Sequence, residues 1–132
     1  MKSLLSLKLR RLVKERDMWL WKTYEEILGI SCPTRDIEIH HVKPHGEGGE
    51  DKESNLICLE AWIHRAIFHT TMGHVDPGMQ QRALEYLNCE AVKEWREKHQ
   101  RELEAIYMER EEERIKRKRA GCIPKKRPGL PF

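Results

Sequence analysis

Ile37-Glu38-Ile39-His40-His41-Val42 and Leu56-Ile57-Cys58-Leu59 are the two stretches that decide the fold of this 132-residue chain. The first alternates apolar and polar side chains, the period of a strand with one buried face. The second is a short, unbroken apolar run and reads as the strand that pairs with it. A polar, glycine-rich loop joins them, His45-Gly46-Glu47-Gly48-Gly49-Glu50-Asp51. From Glu60 to Met72 the sequence reads as helix, with Trp62 and Ala66 on one face, Ile63 and Ile67 beside them, and Gly73 as the stop.

Helical patterns flank this strand–loop–strand–helix unit on both sides. Leu5, Leu9, Leu12 and Val13 fall at helical spacing, as do Leu20, Tyr24, Ile27 and Leu28, so one or two helices fill residues 3–28 and stop at Gly29. Ser31-Cys32-Pro33-Thr34 is a turn. Downstream, Asp76-Pro77 reads as an N-cap followed by proline at the first helical position. From there to Arg119 no strong breaker occurs, although a break near Asn88 fits the pattern. The apolar stripe is thin (Leu84, Leu87, Ala91, Val92, Trp95, Leu103, Ile106), with polar interruptions at His99 and Glu102. Such a helix would project beyond a small core. The expected organisation is a core with its N-terminal helix over 1–75, a charged helical arm over 76–119, and a basic extended tail over 120–132.

Charged residues make up 36% of the chain and its mean hydropathy is −0.77, which leaves material for only a small core. No segment approaches the roughly 18 uninterrupted apolar residues of a membrane helix, and Lys8, Arg10 and Arg11 interrupt the early leucines. The expected location is the cytoplasm. Cys32, Cys58, Cys89 and Cys122 are scattered, form no CxxC pair, and read as ordinary buried or partly buried thiols. The net charge of +3 is unevenly spread: residues 115–132 hold seven Lys/Arg and no acid. Basic termini, Lys116-Arg117-Lys118-Arg119 among them, suit phosphate contact, and equally serve plain solubility.

Five of the seven histidines lie between His40 and His69. Imidazole is both a base near neutral pH and a ligand for divalent metals. Adjacent on a strand, His40 and His41 point to opposite faces, so one facing a metal and the other facing a nucleophile is the natural division. His64, on the following helix, can return beside His40 and complete a two- or three-histidine site. Histidines at this density fit a catalytic metal site or a structural one.

The order Ile39-His40-His41-Val42-Lys43-Pro44, Gly48-Gly49-Glu50-Asp51, Ser54-Asn55-Leu56-Ile57-Cys58-Leu59, His64-Arg65 and His69 resembles the HNH nuclease motif over residues 36–69. Arg16-Asp17 and the stretch from Trp19 to Trp21 resemble the segment preceding it. The resemblance implies a mainly helical α+β fold with a ββα-metal core, two short antiparallel strands and a helix around one divalent cation (Mg2+ first, with Mn2+, Ni2+ or Zn2+ as alternatives). The N-terminal helical segment and the long C-terminal helix would flank that core. His41 matches the general base, His40 and His64 match metal ligands, and Asn55 matches the motif asparagine, grouped with His41 in catalysis. The implied activity is hydrolysis of DNA phosphodiester bonds by a phage- or mobile-element-type enzyme. DNA is then the partner, with Arg65 and Lys116 to Arg119 as candidate phosphate contacts and other phage or host nucleic-acid-processing proteins as further partners.

Two departures from the pattern matter. Many members hold a structural zinc on CxxC pairs, but Trp21, Glu60 and Ile63 stand at the corresponding positions. No structural zinc is expected, and packing of Trp19, Trp21 and Trp62 is expected to replace it. The last histidine usually follows its predecessor by four residues, whereas His69 follows His64 by five. On an α-helix that step turns the side chain off the ligand face, so His69 stands either as a ligand or as a capping or surface residue. The rival reading is a non-catalytic metal-containing DNA-binding module. A dimerising role for the long helix is compatible with either, although its interrupted stripe is weaker than a heptad seam.

Overall fold

The structure, a computed structural model, describes residues 6–68 and 76–122. Helix α1 (Leu7–Trp19) starts where Ser6 accepts hydrogen bonds from the amides of Lys8 and Leu9 through its hydroxyl, satisfying two of the donors that a helix start leaves open. Leu9, Leu12, Val13 and Arg16 form its inward face, at the spacing that one side of a helix requires. A short break at Leu20 starts α2 (Trp21–Leu28), which buries Tyr24 and Leu28 and ends at Gly29 with φ +72°, the left-handed conformation that glycine takes most readily.

Strands β1 (Ile37–His41) and β2 (Leu56–Glu60) pair antiparallel, with Ile37 opposite Glu60, Ile39 opposite Cys58 and His41 opposite Leu56. The unbroken apolar run of β2 has a direct cause: both of its faces are covered. Ile57 and Leu59 pack with Tyr24, Leu28, Ile63, Ala83, Tyr86, Leu87 and Val92, whereas Leu56 and Cys58 pack with Leu9, Leu12, Val13, Trp95, Leu103 and Ile106. The hairpin is therefore the middle layer of a helical molecule. This is the mainly helical α+β architecture expected, with the short helix α3 (Ala61–Ile63) continuing into a π-helical turn over His64–Phe68.

The loop between the strands is held by glycines for two different reasons. Gly48 sits at φ +85°. Gly49 approaches the chain so closely that a Cβ would lie 1.7 Å from the carbonyl oxygen of Lys43. Its own amide donates to the Pro44 carbonyl at 2.8 Å.

The segment read as a helical arm over 76–119, with a break near Asn88, is three helices, α4 (Pro77–Leu87), α5 (Glu90–Lys98) and α6 (Gln100–Cys122). Asp76 caps α4 through the amides of Gly78 and Met79, with Pro77 at its first turn as anticipated. The breaks at Asn88 and His99 lack glycine or proline. At each, the side chain turns back onto the last turn, Asn88 Nδ2 donating to Leu84 O at 2.8 Å and His99 Nδ1 lying 2.9 Å from Trp95 O. The bends fold α4, α5 and the start of α6 against the hairpin, and residues 111–120 of α6 are exposed.

The tryptophan packing expected in place of zinc is corrected by the structure: Trp19, Trp21 and Trp62 are 79%, 48% and 61% exposed. The helices that carry them turn Arg16, Tyr24 and Ile63 inward instead. In that region a buried ionic network joins α1 to the hairpin. The Arg16 guanidinium, with no exposure, donates to Asp17 Oδ1 (2.8 Å), to the Glu53 carbonyl and carboxylate (2.9 and 2.8 Å) and to Leu56 O (2.5 Å). Asp17 also accepts from Tyr86 OH and the Cys58 amide, and Glu53 accepts from Arg96. Arg16, Asp17 and Glu53 are thus buried together, with the part-exposed Arg96 pairing with Glu53 from the edge, which offsets the cost of burying each charge. No helix of the described residues is long and apolar enough to cross a membrane. Cys58 is buried and Cys32 and Cys89 are partly buried free thiols.

Candidate active site

Strand alternation divides the histidine pair as the sequence implied. His40, only 2% exposed, turns toward the helix that follows β2. There His40 Nδ1 lies 3.1 Å from His64 Nε2, with the rings edge to face at a centroid distance of 4.9 Å. His64 Nδ1 is 2.9 Å from Glu38 Oε1, and Arg65 holds the other Glu38 oxygen at 3.0 Å. Glu38 shares the His40 face because it stands two residues earlier on the strand. The bond from His64, assisted by Arg65, holds the Glu38 carboxyl below its ordinary pKa. An ionised Glu38 in turn keeps the His64 proton on Nδ1, which leaves the Nε2 lone pair aimed at His40.

This arrangement fits a cation. Two nitrogens 3.1 Å apart can both lie about 2.1 Å from one ion at an angle of about 95°, inside the range of ordinary cis ligands. A carboxylate behind one imidazole is the usual outer partner of a metal-binding histidine. Among the described residues no group of three His, Cys, Asp or Glu side chains could hold a metal ion. His69, the remaining ligand candidate, lies outside the described residues.

His41 turns to the opposite face, toward α6. Its Nε2 is 2.6 Å from Asp51 Oδ1, and Asp51 Oδ2 accepts from Arg110 at 3.0 Å. Arg110 also donates to the backbone carbonyl of Asp51 at 2.6 Å. His41 is 17% exposed and Asp51 only 6%, so the imidazole keeps solvent access while the carboxylate behind it is enclosed.

Asn55 ties the loop through its amide. Its oxygen accepts from the Lys43 amide at 2.7 Å, and its nitrogen donates to the carbonyls of Lys43 (3.0 Å) and Glu50 (2.9 Å). The Asn55 backbone carbonyl accepts from Val42 N at 2.9 Å. The side chain placed beside His41 in catalysis is therefore engaged as a loop clamp, which fixes the segments carrying His41 and Asp51. Arg65 is 74% exposed, and its guanidinium meets the same Glu38 that holds His64. Lys116, Arg117, Lys118 and Arg119 lie on the exposed end of α6, away from the histidines in sequence, with Arg117 3.6 Å from Glu113.

Sequence reasoning missed Glu38, Asp51 and Arg110. Glu38 carried a usable signal, since i and i+2 share a strand face. Asp51 stood in the motif-like stretch Gly48-Gly49-Glu50-Asp51 with no role assigned to it, and Arg110 carried no signal, because an arginine on a charged helix ordinarily faces water. Comparison of the chain with protein-family models, with curated proteins and with solved structures gives no match.

Proposed function

We propose that this chain is a metal-dependent nuclease that hydrolyses phosphodiester bonds in DNA, with a site of the kind its HNH-like sequence implies. The observation that carries the reading is the facing pair His40 and His64 at 3.1 Å, with Glu38 behind His64. His40 and His64 would hold one divalent cation. Such an ion, when bound, neutralises charge that develops on the phosphate and leaving oxygens. His41, at the end of β1, takes the proton of a water aligned with the scissile bond. A phosphodiester lying across the strand end meets the ligand pair on one side and the base on the other.

Lys116 to Arg119 and Arg65 supply positive charge for sequence-independent phosphate contact.

A plasmid-nicking assay with Mg2+, Mn2+, Ni2+ and Zn2+ in turn, each against EDTA, tests the proposal. Cleavage with at least one metal and none in EDTA is expected. DNA retention without cleavage under every metal would refute the nuclease reading and favour the non-catalytic binding module.

A further inference from the structure

We infer that Asp51 and Arg110 are positioning residues for the His41 base, so that α6 is part of the catalytic apparatus. The inference rests on the nuclease reading for its activity arm and stands on geometry otherwise. The contacts form a chain: Arg110 on α6 grips Asp51 through both its backbone carbonyl (2.6 Å) and its carboxylate (3.0 Å), and the other carboxylate oxygen lies 2.6 Å from His41 Nε2.

A carboxylate accepts and cannot donate, so the Asp51 contact places the neutral imidazole's proton on Nε2. The lone pair is left on Nδ1, which makes Nδ1 the atom that accepts the water proton. Once it does, the imidazolium is stabilised by the enclosed negative charge of Asp51. Arg110 prevents that carboxylate from being an isolated anion and fixes the orientation of its oxygens.

The alternative, in which Asp51 merely occupies the place of a substrate phosphate and swings away, is disfavoured by how its backbone is held. The preceding carbonyl, Glu50 O, accepts from Asn55 Nδ2 at 2.9 Å. Two residues later the Glu53 amide donates to Tyr107 OH at 2.8 Å, so α6 grips the loop again. Asp51 itself is only 6% exposed in its side chain. A loop pinned on both sides of the carboxylate suits a fixed partner.

The test compares wild type with Asp51→Asn, Arg110→Met and Arg110→Lys, after urea titration has shown that each is folded. Two measurements are made: the His41 ring 15N shifts of the metal-free protein at a pH where the imidazole is neutral, and kcat, KM and metal affinity in plasmid cleavage. The expected result is an Nε2–H tautomer in wild type and a mixed one in Asp51→Asn. The kcat of Asp51→Asn should fall on the order of 100-fold, with KM and metal affinity within about twofold. Arg110→Met should lose about tenfold and Arg110→Lys should recover part of it. Unchanged His41 shifts in Asp51→Asn would overturn the proposal, as would equal losses of metal affinity and kcat. The predicted tautomers in a wild type that cuts no DNA would uphold the Arg110–Asp51–His41 chain and refute the nuclease reading alone.

Discussion

Replacing Arg16 by methionine should be among the most damaging single changes in the molecule, and the structure sets its size. The guanidinium makes four hydrogen bonds at 2.5–2.9 Å and has no exposure. Methionine fills much of the volume but leaves the Glu53 and Leu56 carbonyls without their charged donor. Glu53 keeps Arg96, so its charge remains paired, whereas Asp17 keeps only Tyr86 OH and the Cys58 amide. Removing one partner of a buried ionic cluster costs about 3–5 kcal/mol, and the surviving Arg96 pair argues for about 4. With a urea slope near 2 kcal/mol/M the midpoint should fall by about 2 M. Trp95 fluorescence is a suitable probe because Trp95 is 5% exposed while three other tryptophans are largely at the surface. Adding Asp17→Asn to the Arg16→Met variant should recover part of the loss, since the orphaned carboxylate causes much of it. A loss below about 1 kcal/mol, the range of a surface ion pair, would refute the reasoning.

Two further outcomes follow from the loop and the ligand pair. Gly49→Ala puts a methyl 1.7 Å from backbone rather than from a flexible side chain, so the loop must move; a loss above about 2 kcal/mol in the same urea titration is expected. Glu38→Ala should weaken divalent-metal binding about 10- to 100-fold by calorimetry, while leaving the fold intact. Because the His64 bond lowers the Glu38 pKa from its ordinary 4.5, the stabilisation from this pair is present above about pH 4.5 and is lost as pH falls through the lower folded value. The acid limb of a stability profile should therefore flatten in Glu38→Ala, and an unchanged limb would contradict the assignment.

The hairpin was legible because its two strands carry different signatures, alternation in β1 and an unbroken run in β2. The run in β2 reflects burial of both faces, whereas in β1 Ile37 and Ile39 are partly buried against one helical layer and the opposite face carries Glu38 and the buried His40. The caps at Ser6 and Asp76 and the stop at Gly29 are local chemistry, although only the latter two were marked in advance. The helix breaks at Asn88 and His99 were less visible. No backbone-breaking residue stands there, and packing against the hairpin decides where the chain bends. Trp19, Trp21 and Trp62 were expected to pack in place of a zinc, but of the four tryptophans only Trp95 is buried, and the charged cluster around Arg16 and Asp17 occupies the interior beside α1. The histidines announced themselves by density. Their partners did not, since Glu38, Asp51 and Arg110 gain meaning only from the side chain each one meets.

On the proposed reading, the histidines divide into ligands on one face of β1 and a base on the other. Metal binding and plasmid cleavage, measured side by side on His41→Ala and His64→Ala, test it most directly. His41→Ala is expected to keep its metal affinity and lose cleavage by 100-fold or more, on the order expected for a general base, whereas His64→Ala is expected to lose both. Cleavage by His41→Ala at the wild-type rate, or loss of metal by His41→Ala and not by His64→Ala, would contradict it.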